Sequence, residues 1–497
     1  MKKAILALTL LLLANNITAE WPQYGGNPEN TGYTQLKSTN YNISEIKIKW
    51  VYYAQEKITT DPITADINNQ GREETILAAG KTLHAINYEG KPIWTYKTNT
   101  TITTTPTAAD LNNNGKKEII IGTLDGIIHV INHLGQHQWS YQAEGEIINN
   151  PIAADLENNQ KKEIIFASAD GNLYILDYKG RKIRAHKTTA ATETTPAIKD
   201  LDGDGYKDII YGSNDKALHV MLWRGSIISY RTDSNHKANP TIHEKTIITS
   251  TEDGEIFKLK LGTEYSRERF TTMKALTLLW NRTMEGEATS AAIGEQGNQT
   301  IIAVGAGRNL HILTPNGEEE TRYSTNKEIN QQPAIADLNN DSQLEIIITT
   351  REGETIILDS NHTAVWSHKL DKETTASPVI TDLDGDQRPE ILTATQEGYL
   401  YVYGTREPEP QETTTTTVTS TSTTTTTSTT TSTTTTTSTL PENTTPPKAV
   451  IQELSTETVP EKKQAPTGRI IGVPVEGAGI LVLMLFLAGY FYYKTRI

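Results

Sequence analysis

The chain has 497 residues, no cysteine and a formal net charge of −14. The lack of cysteine excludes disulfide bonds, thiolate catalysis and cysteine-ligated zinc, and the negative charge argues against a nucleic-acid partner and favours cations. A chain of this length exceeds an ordinary single domain unless it is built from repeats.

The first 19 residues have the organisation of a signal peptide. Lys2 and Lys3 precede an apolar run that ends at Ala14, and Ala19 offers a small residue at a plausible cleavage position. We therefore expect residues 1–19 to be removed during export. A short anchor that is not cleaved is the alternative.

One sequence unit recurs from residue 20 to residue 404. Most units open on a proline, and successive prolines are mostly 44 or 45 residues apart. The opening prolines are Pro62, Pro106, Pro151, Pro196, Pro240, Pro333 and Pro378. The interval of 93 residues before Pro333 holds a further copy in which Ala291 replaces the proline, which makes eight units.

Each unit predicts four short strands, because β-branched and aromatic runs alternate with turns rich in Gly, Asn and Asp. Four strands in about 40–45 residues are typical of a propeller blade. Tryptophans recur in the fourth strand, where we expect them to pack between neighbouring blades. They are Trp50, Trp94, Trp139, Trp280 and Trp366.

The phase of the repeat predicts how the ring closes. The run from Lys47 to Tyr53 reads as a fourth strand that precedes any first strand, and the last unit ends at Tyr403 after its third strand. The spare strand can complete the last blade and remove its open edge. The sequence therefore predicts an all-β fold, an eight-bladed β-propeller of four-stranded blades over residues 20–404, with closure by the N-terminal strand.

The remainder of the chain predicts a stalk and an anchor. Residues 405–474 include a segment almost wholly of Thr and Ser, which is typical of a disordered, O-glycosylated stalk. The apolar run at 475–493 predicts a transmembrane helix, and residues 494–497 form a basic cytoplasmic tail. A processed sorting signal is the alternative. Sequons for N-glycosylation begin at Asn42, Asn99, Asn281, Asn298, Asn361 and Asn443.

Six units carry an acidic loop between the first and second strands, and the fourth unit has the fullest copy. Its acids stand at loop positions 1, 3, 5 and 9, and Gly205 at position 6 allows the chain to bend. Oxygen ligands at alternate positions of a tight loop predict a Ca²⁺ site. The candidate ligands are Asp200, Asp202, Asp204, the carbonyl of Tyr206, and Asp208.

Three other loops keep much of this ligand set. Their candidate ligands are Asp382, Asp384, Asp386 and Glu390 in unit eight, Asp337, Asn339, Asp341 and Glu345 in unit seven, and Asp110, Asn112, Asn114 and Glu118 in unit two. The loops that begin at Asp66 and Asp155 are weaker, and units five and six have none. The alternative is that Asp, Asn and Gly form these turns without a metal.

These motifs carry a family resemblance. The acidic loops with their trailing β-branched runs resemble the FG-GAP or VCBS repeats of integrin-α-type propellers. The run from Leu83 to Trp94 and the opening run from Trp21 to Gly32 are similar to pyrroloquinoline-quinone-type propellers. The first resemblance implies calcium held in blade loops and a protein or glycan ligand. The second implies either a redox enzyme or a cofactor-free scaffold.

Together these features predict a cell-surface protein: an exported, membrane-anchored, calcium-binding propeller that serves as an extracellular binding, adhesion or scaffolding module for a protein or glycan ligand. Two enzymes remain as alternatives. A polysaccharide lyase would need basic or tyrosine side chains that converge in one cleft. A quinone-dependent enzyme resembles the chain less, since that family uses adjacent cysteines and this chain has none.

Two further features bear on ligand contact. An insertion in the fifth unit, between Leu261 and Leu279, offers a loop on a rigid scaffold. Histidines recur at one place in the third strand, and we expect them to pack because equivalent positions on different blades lie far apart. They are His84, His129, His219 and His311.

Overall fold

The computed structural model describes residues 20–36, 41–188, 190–266, 271–296 and 299–405. The predicted signal peptide, membrane helix, tail and all of the stalk beyond residue 405 lie outside the described residues. Within the described ranges, no helix is long and apolar enough to cross a membrane. A short 3-10 helix, Ile43–Glu45, precedes the first strand, β1 (Lys47–Tyr53).

The described strands form eight separate four-stranded antiparallel sheets, each a blade. The innermost strand of each blade is short and almost entirely buried, because little space exists where eight sheets meet. The innermost strands are β2 (Ile63–Ala65), β6 (Thr107–Ala109), β10 (Ile152–Ala154), β14 (Ala197–Lys199), β18 (Thr241–His243), β22 (Ala292–Gln296), β26 (Ala334–Ala336) and β30 (Val379–Thr381).

The second and third strands form the buried middle of each blade. The second strands are β3 (Glu74–Ala79), β7 (Glu118–Gly122), β11 (Glu163–Ser168), β15 (Asp208–Ser213), β19 (Thr246–Ser250), β23 (Gln299–Ala306), β27 (Glu345–Thr349) and β31 (Glu390–Ala394). The third strands are β4 (Thr82–Ile86), β8 (Ile127–Ile131), β12 (Asn172–Leu176), β16 (Ala217–Met221), β20 (Glu255–Ser266), β24 (Asn309–Leu313), β28 (Glu354–Leu358) and β32 (Tyr399–Gly404). Their Ile, Leu and Val side chains fill the space between adjacent blades.

The fourth strands lie at the rim. They are β5 (Pro92–Lys97), β9 (His137–Gln142), β13 (Lys182–Lys187), β17 (Ile227–Arg231), β21 (Thr271–Thr283), β25 (Glu319–Ser324) and β29 (Ala364–Lys369). The unit-five insertion is a lengthened β20–β21 hairpin rather than an open loop, because its two strands stay paired out to Ser266 and Thr271. Residues 267–270 at its tip lie outside the described ranges.

The eighth blade is completed by the first strand of the chain, as the repeat phase predicts. Strand β1 pairs antiparallel with β32, so that Tyr53 lies opposite Tyr399 and Lys47 lies opposite Gly404. The sheet order is β1-β32-β31-β30. The predicted all-β, eight-bladed propeller with N-terminal strand closure is therefore confirmed.

The fourth-strand tryptophans pack against the next blade, as expected. The indole nitrogen of Trp50 donates to the carbonyl of Tyr88 at 2.9 Å, and that of Trp94 donates to the carbonyl of His133 at 3.0 Å. The indoles of Trp50 and Trp94 pack against the turn glycines Gly90 and Gly135: a Cβ at Gly90, whose φ is +81°, would lie 2.7 Å from the Trp50 ring. The turn therefore requires glycine at position 90, both because φ is positive there and because a side chain would collide with the Trp50 ring.

Residues 20–34, here called the axial segment, lie inside the ring of innermost strands. The sequence analysis did not predict this placement. Backbone hydrogen bonds join the axial segment to six blades. They are Trp21 N to Thr64 O (3.1 Å), Ala108 N to Pro22 O (2.8 Å), Ile198 N to Pro28 O (2.7 Å), Ile242 N to Glu29 O (2.9 Å), Ile293 N to Thr31 O (2.8 Å) and Ile335 N to Gly32 O (2.8 Å).

Asn30 anchors the axial segment at its most buried point. Its side chain is fully buried, and its amide donates to the carbonyls of Pro196 and Pro240 at 3.1 and 3.2 Å. Its own carbonyl accepts from the side chains of Thr241 and Gln332. Its φ of +56° lies in the left-handed region, which asparagine tolerates better than most residues.

We predict that Asn30→Ala lowers the melting temperature. Alanine leaves buried carbonyls without a donor and is strained at positive φ, which together cost roughly 2–4 kcal/mol. Thermal unfolding followed by circular dichroism measures the shift. The exposed Asn326→Ala is the control and should melt with the wild type; an equal melting temperature for both variants would show that the axial segment contributes little to stability.

Candidate cation loops and axial cavity

The six acidic loops share one backbone geometry. In each, the N–H of the second loop residue donates to the trailing carboxylate at position 9. These bonds are Ile67 to Glu74 (3.1 Å), Leu111 to Glu118 (3.0 Å), Leu156 to Glu163 (2.9 Å), Leu201 to Asp208 (3.0 Å), Leu338 to Glu345 (2.8 Å) and Leu383 to Glu390 (2.9 Å). The acid at position 9 therefore has a structural role, because it accepts the hydrogen bond that closes the loop, and it has this role even in loops with few other acids.

The turn chemistry of the loops is also shared. Positions 4 and 6 have positive φ in every loop, as at Gly203 (+77°) and Gly205 (+87°) in blade four. The carboxylate at position 1 accepts backbone N–H groups from the far side of the turn, as when Asp200 accepts from Gly203 at 2.7 Å and from Gly205 at 3.0 Å. A metal site therefore requires convergent ligands in addition to this turn.

The blade-four loop brings three carboxylates together. Asp200, Asp202 and Asp208 each offer an oxygen, and these oxygens lie within 4.8 Å of one another. Ligands on opposite sides of Ca²⁺ are up to about 5 Å apart, so this spacing fits the ion. Asp204 is not among these three convergent carboxylates, and its Oδ1 accepts the Tyr206 N–H at 2.9 Å.

The electrostatics of this loop favour a cation. Burial, and then the charges of Asp202 and Asp204, raise the pKa of Asp208 to about 6. Lys274, on the long β20–β21 hairpin of blade five, approaches Asp202 at 3.6 Å with its side chain 38% exposed. At that separation and exposure the ammonium contributes little neutralisation.

The blade-eight loop brings Asp382, Asp384 and Glu390 together in the same way. Asp386 is not among these three convergent carboxylates, and its Oδ1 accepts the Arg388 N–H at 2.8 Å. Burial, and then the charges of Asp386 and Asp384, raise the pKa of Asp382 to about 6. Its Oδ1 is buried and has no hydrogen-bond partner among the described residues.

A lysine that the sequence analysis missed enters the blade-eight cluster. Lys49 Nζ lies 2.9 Å from Asp384 Oδ2 and 2.7 Å from Glu390 Oε1. Two of the three convergent carboxylates are thus already paired with a positive charge. The blade-eight loop therefore fits Ca²⁺ less well than the blade-four loop does.

The loops of blades seven and two use their predicted ligands as turn acceptors. In blade seven, Asp337 accepts from the N–H groups of Asp341 and Ser342, and the Asn339 amide donates to Asp341 at 3.2 Å. Glu345 is buried, which together with Asp341 and Asp337 raises its pKa to about 8. Among the described residues, neither loop gathers three acidic side chains around one point.

In blade two, the predicted ligands bond with one another and with the loop backbone. Asp110 accepts from the N–H groups of Asn114 and Gly115 at 3.0 and 2.7 Å, and the Asn112 amide donates to Glu118 at 3.2 Å. An amide that donates to a carboxylate turns its N–H, rather than its oxygen, toward that acid. This arrangement lacks the convergence seen in blade four.

The recurrent histidines form links within and between blades, in agreement with a packing role. The Tyr52 hydroxyl lies 3.0 Å from Nδ1 of His84 in the next blade, and Tyr96 lies 3.3 Å from Nδ1 of His129. The other two bond within their own blades: His219 contacts Asp215 and Ser229, and His311 contacts Glu319.

A cavity of about 420 Å³ lies beside the axial segment. Its walls come from residues that precede β18, β22 and β26, whereas the acidic loops follow their innermost strands, so the cavity and the loops lie at opposite ends of these strands. Hydroxyl, amide and charged groups line it, among them Tyr24, Lys237, Asn239, Glu287, Glu328 and Asn330.

Several polar groups of this cavity are held in place by neighbours. Tyr24 donates to the Ser290 hydroxyl at 3.2 Å, and burial together with the nearby charge of Asp61 holds the pKa of Tyr24 above its usual range. Lys237 is paired with Glu193 at 2.5 Å. The cavity can therefore offer fixed hydrogen-bond donors and acceptors to a hydroxyl-rich ligand.

A ring of polar residues surrounds the axis at the same end as the cavity. Each stands just before an innermost strand, and several bond to the equivalent residue of the next blade. The ring consists of Asp61, Thr105, Asn150, Thr195, Asn239, Ser290, Gln332 and Ser377. The sequence signal was a hydrogen-bonding side chain before the opening proline or Ala291 of every unit.

Asp61 is the one acid of this ring. It is buried, and its Oδ1 accepts the Ser377 N–H at 2.8 Å. Burial raises its pKa from 3.8 to about 6, and the bond from Ser377 only partly offsets this rise. Asn150 and Asn239 occupy the equivalent places in blades three and five.

The fold and these sites define an eight-bladed propeller with acidic loops at one end of its innermost strands and a polar axial cavity at the other. Residues 144–257 match a family described as the lambda-carrageenase beta-propeller domain, which is less than half of the chain. A comparison of the sequence with curated proteins finds no match.

Solved propellers share the architecture at low sequence identity. The chain is similar to a europium-containing methanol dehydrogenase (11% identity, 80% of this chain and 100% of that chain, TM-score 0.55). It is also similar to BamB from Moraxella catarrhalis (13% identity, 72% of this chain and 97% of that chain, TM-score 0.51). A third similar structure is the computationally designed Ika8 protein (17% identity, 71% of this chain and 97% of that chain, TM-score 0.52). At these identities the likeness shows the fold alone.

We predict that Asp61→Asn stabilises the protein above pH 6 and has little effect near pH 3. A carboxyl whose folded pKa is raised contributes stability below its unfolded pKa of 3.8 and loses it as the pH rises to about 6. Asparagine keeps the acceptor for Ser377 without ionising, so the gain at neutral pH is up to about 3 kcal/mol.

Urea unfolding of both proteins between about pH 3 and pH 8 measures this difference. The exposed Asp233→Asn should show no such pH-dependent gain. A gain that is constant with pH would mean that ionisation of Asp61 is not its cause.

Proposed function

We propose that the protein is an exported, membrane-anchored, calcium-stabilised propeller that binds a polysaccharide outside the cell. The observation that carries this proposal is the axial cavity, where an aromatic ring stands among fixed hydroxyl, amide and charged groups. Such a lining suits a sugar, which presents hydroxyl groups at its edge and an apolar face. The match of residues 144–257 to a carrageenase propeller domain supports a carbohydrate over a protein ligand.

The charge of the cavity indicates which sugars it prefers. Glu287 and Glu328 bring two carboxylates to the lining; Glu328 is paired with Arg351 at 3.5 Å, and the Lys237 ammonium is paired with Glu193. A sulfated or uronic-acid chain would meet like charge there. Neutral sugars and amino sugars are therefore the expected ligands.

Calcium is proposed at the blade-four loop, with Asp200, Asp202 and Asp208 as its acidic ligands. The ion would neutralise three converging carboxylates and so hold the turn between β14 and β15. The FG-GAP or VCBS resemblance of the loop supports the same ion. Mg²⁺ suits the loop less, because it demands stricter octahedral geometry.

Export and anchoring rest on the sequence at the two ends. The signal-type segment at 1–19 would direct export, and the apolar run at 475–493 would hold the propeller at the cell surface on a stalk of Thr and Ser. Such an arrangement would expose the cavity to the medium, where polysaccharides are available.

A polysaccharide lyase is the second candidate, and the same family match favours it. A lyase needs a free base beside the substrate. In the described part of the cavity, Lys237 is bound to Glu193 and Tyr24 is bound to Ser290, so binding is favoured over cleavage. The quinone-dependent alternative lacks the adjacent cysteines of its family, and the axial segment fills the centre of the ring.

We predict that excess Ca²⁺ raises the melting temperature of the wild type above its value in chelator, and that Asp202→Asn removes most of this rise. A ligand that binds the folded state at 100 times its dissociation constant stabilises by about 2.7 kcal/mol. Asp204→Asn is the matched control, because Asp204 lies in the same loop but outside the cluster. Loss of the shift in both variants, or no shift in the wild type, would contradict the assignment.

We predict that Asn330→Trp weakens polysaccharide binding at least tenfold, a loss of about 1.4 kcal/mol, by filling the cavity. Affinity electrophoresis in gels that contain neutral, aminated or sulfated polymers measures retardation. Asn326→Trp, exposed on the same connection and outside the lining, should bind like the wild type. Equal binding by both variants would place the ligand elsewhere, and release of unsaturated oligosaccharides would favour the lyase.

A further inference from the structure

Lys49 crosses its own blade to reach the acidic loop. It lies on β1 at the rim, whereas Asp384 belongs to the β30–β31 loop and Glu390 begins β31, two strands further in. The Lys49 side chain is 18% exposed, and that of Glu390 is 1% exposed. A charge pair this well buried is unlike an ordinary surface salt bridge.

A β-bulge turns Lys49 toward the loop. On β1, Ile48 pairs with Tyr403 and Trp50 pairs with Val402, so Lys49 is the extra residue. The same bulge recurs at the rim of six other blades, where its extra residue is exposed. That residue is apolar in four of them, namely Ile93 (49% exposed), Ile183 (46%), Leu279 (49%) and Val365 (41%), and it is Gln138 in blade two and Glu320 in blade six. Blade eight thus uses a repeated feature of the fold to direct a lysine inward.

The absence of a side chain at Gly404 leaves room for the Lys49 side chain to cross the sheet. A Cβ at Gly404 would lie 2.7 Å from Lys49 Cδ and 3.2 Å from Glu390 Oε1, so any side chain there would obstruct the crossing. By the pairing register, the equivalent residues of blades one, two and seven are Asn87, Asn132 and Asp359. Blade eight therefore differs from these blades at both positions that the contact requires.

From this geometry we infer that Lys49 is the resident cation of the blade-eight loop and takes the place that Ca²⁺ takes in blade four. The ammonium donates to Asp384 and Glu390, whereas Asp382 Oδ2 accepts the Gln387 N–H and its Oδ1 has no hydrogen-bond partner among the described residues. A divalent ion would have to share these carboxylates with a positive charge attached to the chain. In the blade that closes the ring, the acidic loop is therefore held by this lysine and not by calcium.

The contact also fastens the closing strand to the interior of its blade. Strand β1 is bonded to β32 alone through its backbone, and Lys49 adds a second attachment to the β30–β31 hairpin. The inference goes beyond the proposed function, because it concerns a loop in which calcium is not proposed.

The test is Lys49→Met, measured by thermal unfolding and by calcium bound per chain in native mass spectrometry. In chelator the variant should melt below the wild type, because it leaves buried carboxylates unpaired. Added Ca²⁺ should restore its melting temperature, and the variant should bind one calcium ion more than the wild type. Lys47→Met, exposed on the same strand, should change neither quantity.

Two further variants test whether the blade-eight loop of the wild type binds calcium. Asp384→Asn in the wild-type background should leave the number of bound calcium ions unchanged, and the double variant Lys49→Met, Asp384→Asn should recover stability in chelator without gaining calcium. The inference is overturned if Asp384→Asn lowers the calcium count of the wild type, or if Lys49→Met changes neither melting temperature nor calcium count. A wild type that binds no calcium would contradict the blade-four assignment alone, since the gain in Lys49→Met would still be expected.

Discussion

The pairing of β1 with β32 is the contact on which the rest of the propeller depends. Each blade buries its faces only against its two neighbours, so an incomplete eighth blade would leave an open strand edge and an exposed core. Closure by a strand from the start of the chain joins residues that are more than 300 positions apart. It also fixes the circle of innermost strands within which the axial segment lies. The Lys49 contact reinforces this same junction from the side of the blade interior.

The two ends of the innermost strands have different chemistry. Where these strands end, the chain of six blades turns through acidic loops whose carboxylates close the turn and, in blades four and eight, also converge on one another. Where they begin, a ring of hydroxyl, amide and carboxyl groups surrounds the axis, and the polar cavity opens beside Tyr24. One end therefore closes the turns within the blades, and the other presents a polar cavity. This division shows how a repeat that is uniform in its turns can still carry a cavity lined by only some of its units.

Much of the fold could be predicted from the sequence, because the signal is local and repeated eight times. The spacing of the opening prolines predicts the blades, and the early strand from Lys47 to Tyr53 predicts the closure. The acidic loops were found for the same reason, although positions 1, 3 and 9 converge while position 5 does not. Asp204 and Asp386 keep the spacing of a ligand but lie outside the convergent groups, and a spacing pattern does not show which of its acids converge.

The features that were missed depend on contacts between distant residues. Nothing in the run from Trp21 to Gly32 shows that its backbone bonds to six blades, and nothing local to Lys49 shows that it meets Asp384, 335 positions away. Both contacts depend on how the blades and strands pack in three dimensions, which the local sequence does not specify. The absence of a side chain at Gly404 was the one sequence signal, and its meaning depends on the path of Lys49. The site residues of a repeat protein are thus clearest where one unit departs from the others.

The anomalous scattering of calcium, in crystals grown with excess Ca²⁺, tests most directly whether calcium occupies the blade-four loop and Lys49 the blade-eight loop. The account predicts a peak among Asp200, Asp202 and Asp208 in blade four. It predicts no peak in blade eight, where Lys49 Nζ should remain within hydrogen-bond distance of Asp384 and Glu390. A calcium peak among Asp382, Asp384 and Glu390, with Lys49 displaced, would contradict it.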